Sequence, residues 1–554
     1  MRKFLTAVVI FLQLTVPVYA VENNIFGIHL AVANLDDLKS AAQLVNGEKG
    51  EWGYVTLVIQ ENDRDLNKWQ GVFDQLRVLK LIPIIRIATI PEGDRWRRPS
   101  KEDSGQWVDF LNRLNWVVKE RYVVIFNEPN HAAEWGGETN PEHYAEVAAE
   151  FAKKLKERNN DFRVMLAGFD AAAPSQAPRY EDEAIYLDRV LAKVPDIFNY
   201  IDALSSHSYP NPGFAGSPYA SGRNSIRNYE WELEYLRSKG ISKDLPVFIT
   251  ETGWNRRSST PEDFVAAFSH WSTDSRVQAV TPFVLNYQTE PFLQFSWQKQ
   301  GSRDFHPQYF AVKNMEKRRG SPEQIERGVV QAQLPRDLLV DSNYHFQFRL
   351  RNTGQAIWDA SEGYELRIET ESGDILDYFF SDIHEIKPNE DDLMDLYIKL
   401  GEKSIPQNAQ IVLYKKGKKL PVTYDWNFLV TPLPRLVTKV SLFPRIRAKA
   451  EREFEIQIFD ANEQLVYKKS GLKRTKGTVT IDAVHNVFLG GKYRVVILSD
   501  LYLPRQAHVV FKKGVNEASF RPMLPLDLNI DGRFDLEDLQ ALILNPLRLG
   551  LLLP

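Results

Sequence analysis

The chain has 554 residues, a formal net charge of -4, 12 Trp, 22 Tyr and no cysteine. That length exceeds what one hydrophobic core supports, so a multidomain protein is expected. The balanced charge leaves no basic stripe for a phosphate backbone, which argues against nucleic acid as a partner, and the lack of cysteine excludes disulfides and thiol chemistry.

At the N-terminus, Arg2 and Lys3 precede the apolar run Phe4 to Val16, and Val18-Tyr19-Ala20 sets small residues at the spacing of a signal-peptidase site. Residues 1–20 therefore read as a signal peptide, and the protein as secreted, extracellular or held at the cell surface. The run is shorter than the roughly 20 apolar residues of a spanning helix, and no transmembrane segment is expected in the mature chain.

From Phe26 to about Lys317, short runs rich in Val, Ile and Phe alternate with longer amphipathic segments, the pattern of repeated βα units. The runs are Phe26–Leu30, Tyr54–Ile59, Ile82–Ile87, Tyr122–Phe126, Phe162–Ala167, Ile201–Ser205, Pro246–Thr250 and Val280–Asn286. Between them lie helical patterns such as Pro141–Arg158, whose Ala145, Ala148, Ala149, Phe151, Ala152 and Leu155 share a face. Eight such units over residues 21–318 predict a (β/α)8 TIM barrel. An open doubly wound sheet is disfavoured, because Phe26 to Asn34 carries no Gly-rich phosphate turn.

Strand C-termini converge on the active face of such a barrel, so the polar residues just beyond the runs are the first candidates for catalysis. The fourth run ends Phe126-Asn127-Glu128-Pro129-Asn130 and the seventh Thr250-Glu251-Thr252-Gly253-Trp254. Carboxylates on strands four and seven face each other across the mouth, about 5 Å apart in the arrangement where one attacks an anomeric carbon and the other protonates the leaving oxygen. The sixth run continues into Ser206-His207-Ser208-Tyr209, which puts His207 and Tyr209 on one side. Arg86 interrupts an apolar strand, where a guanidinium needs a carboxylate partner; Glu251 is the expected one. His29, near the end of strand one, reads more as a structural histidine than as a substrate ligand.

These motifs resemble those of the clan A retaining glycoside hydrolases, whose barrels carry an Asn-Glu acid/base pair after strand four and a glutamate nucleophile after strand seven. The resemblance implies Glu128 as proton donor and Glu251 as nucleophile, Asn127 on the sugar 2-hydroxyl, and His207 and Tyr209 flanking the nucleophile. It also implies an aromatic platform beyond strand eight, for which Trp297 is the candidate ahead of Tyr287; Trp254 and Trp135 are candidate cleft walls. The segment Asp304 to Ala311 resembles the closing stretch of such barrels. The implied substrate is a β-linked polysaccharide or oligosaccharide, with no cofactor for catalysis. The NEPN stretch is similar to β-xylosidase-like members and ETGW to β-1,3-glucanase-like ones, so linkage and sugar stay open. A transglycosylase would share every residue named; a non-catalytic carbohydrate-binding or surface scaffold protein is the alternative of another class.

Beyond Arg318 the period changes to two. Phe346, Phe348 and Leu350 alternate with polar residues, and similar runs at Tyr364–Ile368 and Leu396–Leu400 predict an Ig-like β-sandwich over 319–432. A second sandwich-like module is expected over 433–520, from Phe454, Ile456 and Ile458 through Val479–Ile481 to Tyr493–Leu498.

Residues 521–554 contain Asp527, Asn529, Asp531, Arg533, Asp535 and Asp538 at positions 1, 3, 5, 7, 9 and 12 of an EF-hand-like calcium loop, with Gly532 at position 6. The loop resembles half of a dockerin repeat. Ca2+ binding is expected from the ligand spacing, although position 12 is aspartate rather than glutamate; with a single loop, a cohesin-like partner is not favoured. Leu536, Leu539, Leu542 and Ile543 recur at helical intervals, predicting a terminal helix that packs on the β-module.

Overall fold

The computed structural model describes residues 23–370, 375–443, 452–525 and 527–545. The proposed signal peptide lies outside the described residues. Among the described residues no helix is long and apolar enough to cross a membrane. The chain divides between Ile325 and Glu326 into two compact units.

The first unit is a TIM-barrel-like domain. Its parallel strands are β1 (Gly27–Leu30), β2 (Gly53–Gln60), β3 (Leu81–Ala88), β4 (Arg121–Ile125), β5 (Phe162–Leu166), β6 (Leu204–His207), β7 (Val247–Glu251) and β8 (Val277–Val280). The first five form one parallel sheet in sequence order, and β6 to β8 form a second. Isolated parallel bridges, Phe26 to Val280 and Asp170 to His207, join the two at both seams. At the first seam Gly27 is required: a Cβ there would stand 2.6 Å from Thr281 Cγ2 and 2.8 Å from the Val280 carbonyl oxygen.

Buried on both faces, these strands carry nearly unbroken apolar runs, which is why composition locates them. The outer helices are α1 (Leu35–Asn46), α2 (Leu66–Val78), α3 (Ser104–Arg113), α4 (Pro141–Arg158), α5 (Glu183–Lys193), α6 (Asn228–Ser238), α7 (Pro261–Trp271) and α8 (Pro307–Lys313). Helix α4 shows the local logic: the Asn140 side chain accepts from the His143 amide, Pro141 sits at the first turn, and Ala145, Ala148, Phe151, Ala152 and Leu155 are buried.

Two expected strands shift. The sixth lies at Leu204–His207, three residues beyond the start of its predicted run, because Ile201 is taken into the core before the strand begins. The eighth is Val277–Val280, not Val280–Asn286; Pro282, which has no N–H to donate, follows it, and Leu285 pairs instead by donating to the His29 carbonyl. Residues 319–325 belong to the barrel unit and not to the next module: Lys119 N donates to the Glu323 carbonyl, and Gln324 to that of Val117.

The second unit is β-rich. Strands Gly328–Gln331, Asn343–Asn352, Asp391–Leu400 and Ile375–Phe380 form one four-stranded sheet, and Asp337–Leu339, Lys418–Thr431, Pro406–Lys415 and Tyr364–Thr370 another. Asn343–Asn352 alternates strictly between exposed and buried, and Phe346, Phe348 and Leu350 enter a core shared with Trp426 and Phe428. The following module departs from two separate sheets: seven strands make one continuous hydrogen-bonded series around a single core. The long strand Leu465–Thr475 pairs with Glu453–Phe459 along most of its length and with Thr478–Ile481 at its end, turning at Gly471, whose φ is 69°.

The terminal helix α9 (Leu536–Leu544) forms, but its apolar residues do not pack as expected. Leu536, Ile543 and Leu544 are 75%, 76% and 84% exposed. The loop instead turns its buried side inward through Asp527, Leu528 and Asp538.

Candidate active site

The carboxyl ends of β3, β4, β6 and β7 bring Arg86, Asn127, Glu128, His207, Tyr209 and Glu251 together. Arg86 Nη1 donates to both Glu251 Oε1 and Asn127 Oδ1. Tyr209 donates its phenol hydrogen to Glu251 Oε2 at 3.0 Å. His207 Nδ1 lies 2.7 Å from Glu128 Oε1 and 3.9 Å from Glu251 Oε2. Ligand atoms of Glu128, His207 and Glu251 all fall within 4.8 Å of one another.

Local chain geometry sets this cluster. Phe126 and Glu128 both hold positive φ, 69° and 29°, which strains non-glycine backbone and is tolerated at a site the surroundings over-determine. The backbone is pinned there: Glu128 N donates to the Gly168 carbonyl and His131 N to that of Glu128. Within β6 and β7 the Ser205 and Thr250 hydroxyls bond at 2.7 Å, and just beyond them Thr252 Oγ1 donates to the Ser208 carbonyl, locking the segment bearing His207 and Tyr209 to that bearing Glu251.

The electrostatics divide the two glutamates. Burial opposes ionisation of Glu251, but the charges of His207 and Arg86 and the Tyr209 hydrogen bond hold its carboxyl well below the usual carboxylate range. Its side chain is 9% exposed and that of Glu128 18%, so Glu128 is the more accessible. Burial lowers the basicity of His207, yet Glu251's charge and the bond to Glu128 raise it on balance. His29, 3.8 Å from Glu251 Oε1, is driven down to about 3 by burial and by Arg86, so it stays neutral. The trio of Glu128, His207 and Glu251 has donor spacing suited to a metal, but Arg86 already supplies the positive charge against Glu251.

The three tryptophans are not cleft residues. Trp297 is 1% exposed and packs its edge against Phe264, so it cannot present a face to a sugar. Trp254 is buried on the same Phe264 and donates Nε1–H to the Gly216 carbonyl. Trp135 is buried between Phe126 and Tyr144. The aromatic that follows β8 at the site is Phe283, half-buried and edge-on to His29, with Phe292 and Phe295 behind it.

Sequence reasoning missed three further features. Glu134 lies beside Asn127; burial and the charge of Glu128 push its carboxyl up to about 7, against the lowering effects of Arg86 and Asn127. His131 Nε2 lies 2.8 Å from Asp170 Oδ2 on the other flank of Glu128. Gly168 borders the His207 ring. Glu134 carried a signal, as a second glutamate in the loop that follows Glu128; the other two depend on the β5 end meeting β6.

In the terminal loop, Asp538 departs from its expected place as a ligand. Oδ1 accepts from the Leu528 and Asn529 amides and Oδ2 from the Asp535 amide, so it caps the helix. The carboxylates that converge are those of Asp531, Asp535 and Glu537. Asp527 is buried, with Oδ2 accepting from Gly532 N and Oδ1 without a partner, and Asn529 Oδ1 accepts from Asp531 N. Arg533 donates its amide to Asp531 Oδ1.

No family model matches the sequence, and no curated protein matches it. Solved structures similar to this chain include glycoside hydrolases of families 5, 51 and 128. A broad-specificity endoglucanase from Clostridium longisporum aligns over 51% of this chain and 84% of its own, at 14% identity and a TM-score of 0.35. An α-L-arabinofuranosidase from Bifidobacterium longum aligns over 66% and 89%, at 10% identity and a TM-score of 0.34. An endo-β-1,3-glucanase from Lentinula edodes aligns over 53% and 100%, at 14% identity and a TM-score of 0.34.

Proposed function

We propose that the protein is a secreted retaining glycoside hydrolase acting on β-linked glycans, with Glu251 as nucleophile and Glu128 as acid/base. The observation that carries this reading is the Glu128–Glu251 pair, its carboxylate oxygens within 4.8 Å of each other with the His207 ring against both. That separation leaves no room for the water an inverting mechanism activates between its carboxyl groups.

In the first step a Glu251 oxygen bonds to the anomeric carbon while Glu128 gives its proton to the departing glycosidic oxygen. In the second, water attacks the glycosyl ester, Glu128 takes the water's proton, and Glu251 leaves as carboxylate. Arg86 and Tyr209 keep Glu251 ionised and aimed, and His207 holds Glu128. The scaffold alternative has no need of this assembly, which favours the enzyme.

The test is Glu251→Ala, which should lose turnover on the order of 10⁴-fold and recover with azide to give a glycosyl azide of inverted configuration. Undiminished activity in that variant would sink the reading.

The terminal loop is proposed to take Ca2+. The donors that fit are the Asp531, Asp535 and Glu537 carboxylates, with the unpartnered buried oxygen of Asp527 as a further one.

A further inference from the structure

A small cavity of about 20 Å³ opens beside the proposed catalytic pair, lined by Arg86, Thr89, Trp96, Phe126, Asn127 and Glu134. Its volume is that of one water-sized group, too small for a sugar ring and for an acetamido arm. Two of its walls belong to the cluster already described: Arg86 donates to both Glu251 and Asn127, and Glu134 lies beside Asn127. Glu251 is thus tied through Arg86 to Asn127, and Arg86, Asn127 and Glu134 all face the cavity.

The wall chemistry is specific. Glu134 offers acceptor oxygens, and because the Arg86 guanidinium is paired with Glu251, Glu134 is the uncompensated charge at the cavity above about pH 7. Thr89 is spoken for, donating its hydroxyl to the Arg97 carbonyl. Above that pH a carboxylate entering here would meet Glu134 as a like charge, whereas a hydroxyl or an ammonium group would find an acceptor.

Resting on the hydrolase reading, we infer that this cavity is a substituent pocket, with Glu134 as a specificity-determining residue that accepts a hydrogen bond from a hydroxyl or ammonium group on the bound sugar. The pocket admits sugars carrying a free hydroxyl or amine at that carbon and refuses N-acetylated and acidic ones, by size and by charge respectively. Glucose-type and deacetylated glucosamine-type glycans share this chemistry, and Glu134→Gln separates them: the amide still accepts from a hydroxyl but cannot pair with an ammonium.

The experiment compares, above pH 7 where Glu134 is ionised, kcat/KM of the wild type, Glu134→Gln and Glu134→Ala on β-linked oligomers of glucose, glucosamine, N-acetylglucosamine and glucuronic acid. Calorimetric binding of the same oligomers is measured alongside. The wild type should favour one or both of the first two sets over the last two by about 100-fold, and Glu134→Ala should lose about 10- to 100-fold on the favoured set. A loss with Glu134→Gln confined to glucosamine assigns an ammonium occupant; retention with glutamine assigns a hydroxyl. The isosteric Gln variant also keeps the test valid if the Ala variant does not fold. Equal use of N-acetylated and free sugars by the wild type, or unchanged kcat/KM and affinity in both variants, would overturn the pocket. Failure of the hydrolase reading has a different signature: no oligomer is cleaved, while the binding preference and its dependence on Glu134 persist.

Discussion

Gly168 and His207 occupy the same space in turn: a Cβ at Gly168 would stand 2.1 Å from His207 Cδ2 and 2.5 Å from Nε2. The ring is wholly buried, and the His207 backbone pairs with Asp170 in the chain after β5, so the absent side chain at Gly168 is what lets Nδ1 reach Glu128. Gly168→Ala should push the ring off Glu128 and lower kcat about 100-fold, while overpacking costs about 1–3 kcal/mol of stability. Turnover paired with a melting curve checks this. Wild-type kcat in the variant would mean that the His207 contact with Glu128 is dispensable.

Against the burial that opposes it, His207 and then Arg86 hold the Glu251 carboxyl down. A carboxyl held below its unfolded value contributes stability that is present above the unfolded pKa and lost as pH falls through it toward the folded value. Arg86→Met removes a charge that lowers Glu251, leaving burial to act in the opposite direction. The acid limb of kcat/KM should move up by about one pH unit or more, and stability should become less dependent on pH below the ordinary carboxylate range. A pH–rate profile with an unmoved acid limb would exclude Arg86 from this role.

Much of the barrel is legible in composition because parallel strands buried on both faces must be apolar throughout, and Glu128, Glu251, His207, Tyr209 and Arg86 stand where those runs end. Their grouping follows from strand order alone. What escapes is whatever depends on side-chain direction. Trp297 looks like a platform by its place in the chain but turns inward to Phe264, leaving Phe283 at the site. Asp538 falls on the twelfth loop position, yet the backbone amides of a tight turn claim both its oxygens before a metal can. Glu134 sits in a short 3-10 turn, Ala132–Glu134, that no hydrophobic period announces.

The inward placement of Trp297 has its own consequence. Trp297→Ala should empty a fully packed site in the barrel core and cost about 3–5 kcal/mol, whereas a cleft residue would lose substrate affinity instead. Thermal unfolding should therefore report a large loss, and KM measured well below the new midpoint should stay near that of the wild type. A raised KM with unchanged melting would return Trp297 to the cleft.

The terminal loop separates two roles that sequence position confounds. Asp538 closes a reciprocal cap with Asp535 at the start of α9, so Asp538→Ala should weaken the helix by about 1 kcal/mol with or without Ca2+. Asp531→Asn and Glu537→Gln remove candidate metal donors and leave that cap intact. They should weaken Ca2+ binding about 10-fold while the metal-free helix is unchanged. Calorimetric titration with Ca2+, and proteolysis within Leu536–Leu544 with and without a chelator, distinguish the two classes. The wild-type loop should be cleaved more slowly with Ca2+ present, since binding to the folded loop alone shifts its opening equilibrium. Equal cleavage in both conditions would remove calcium from the loop and leave Asp538 as a helix cap alone.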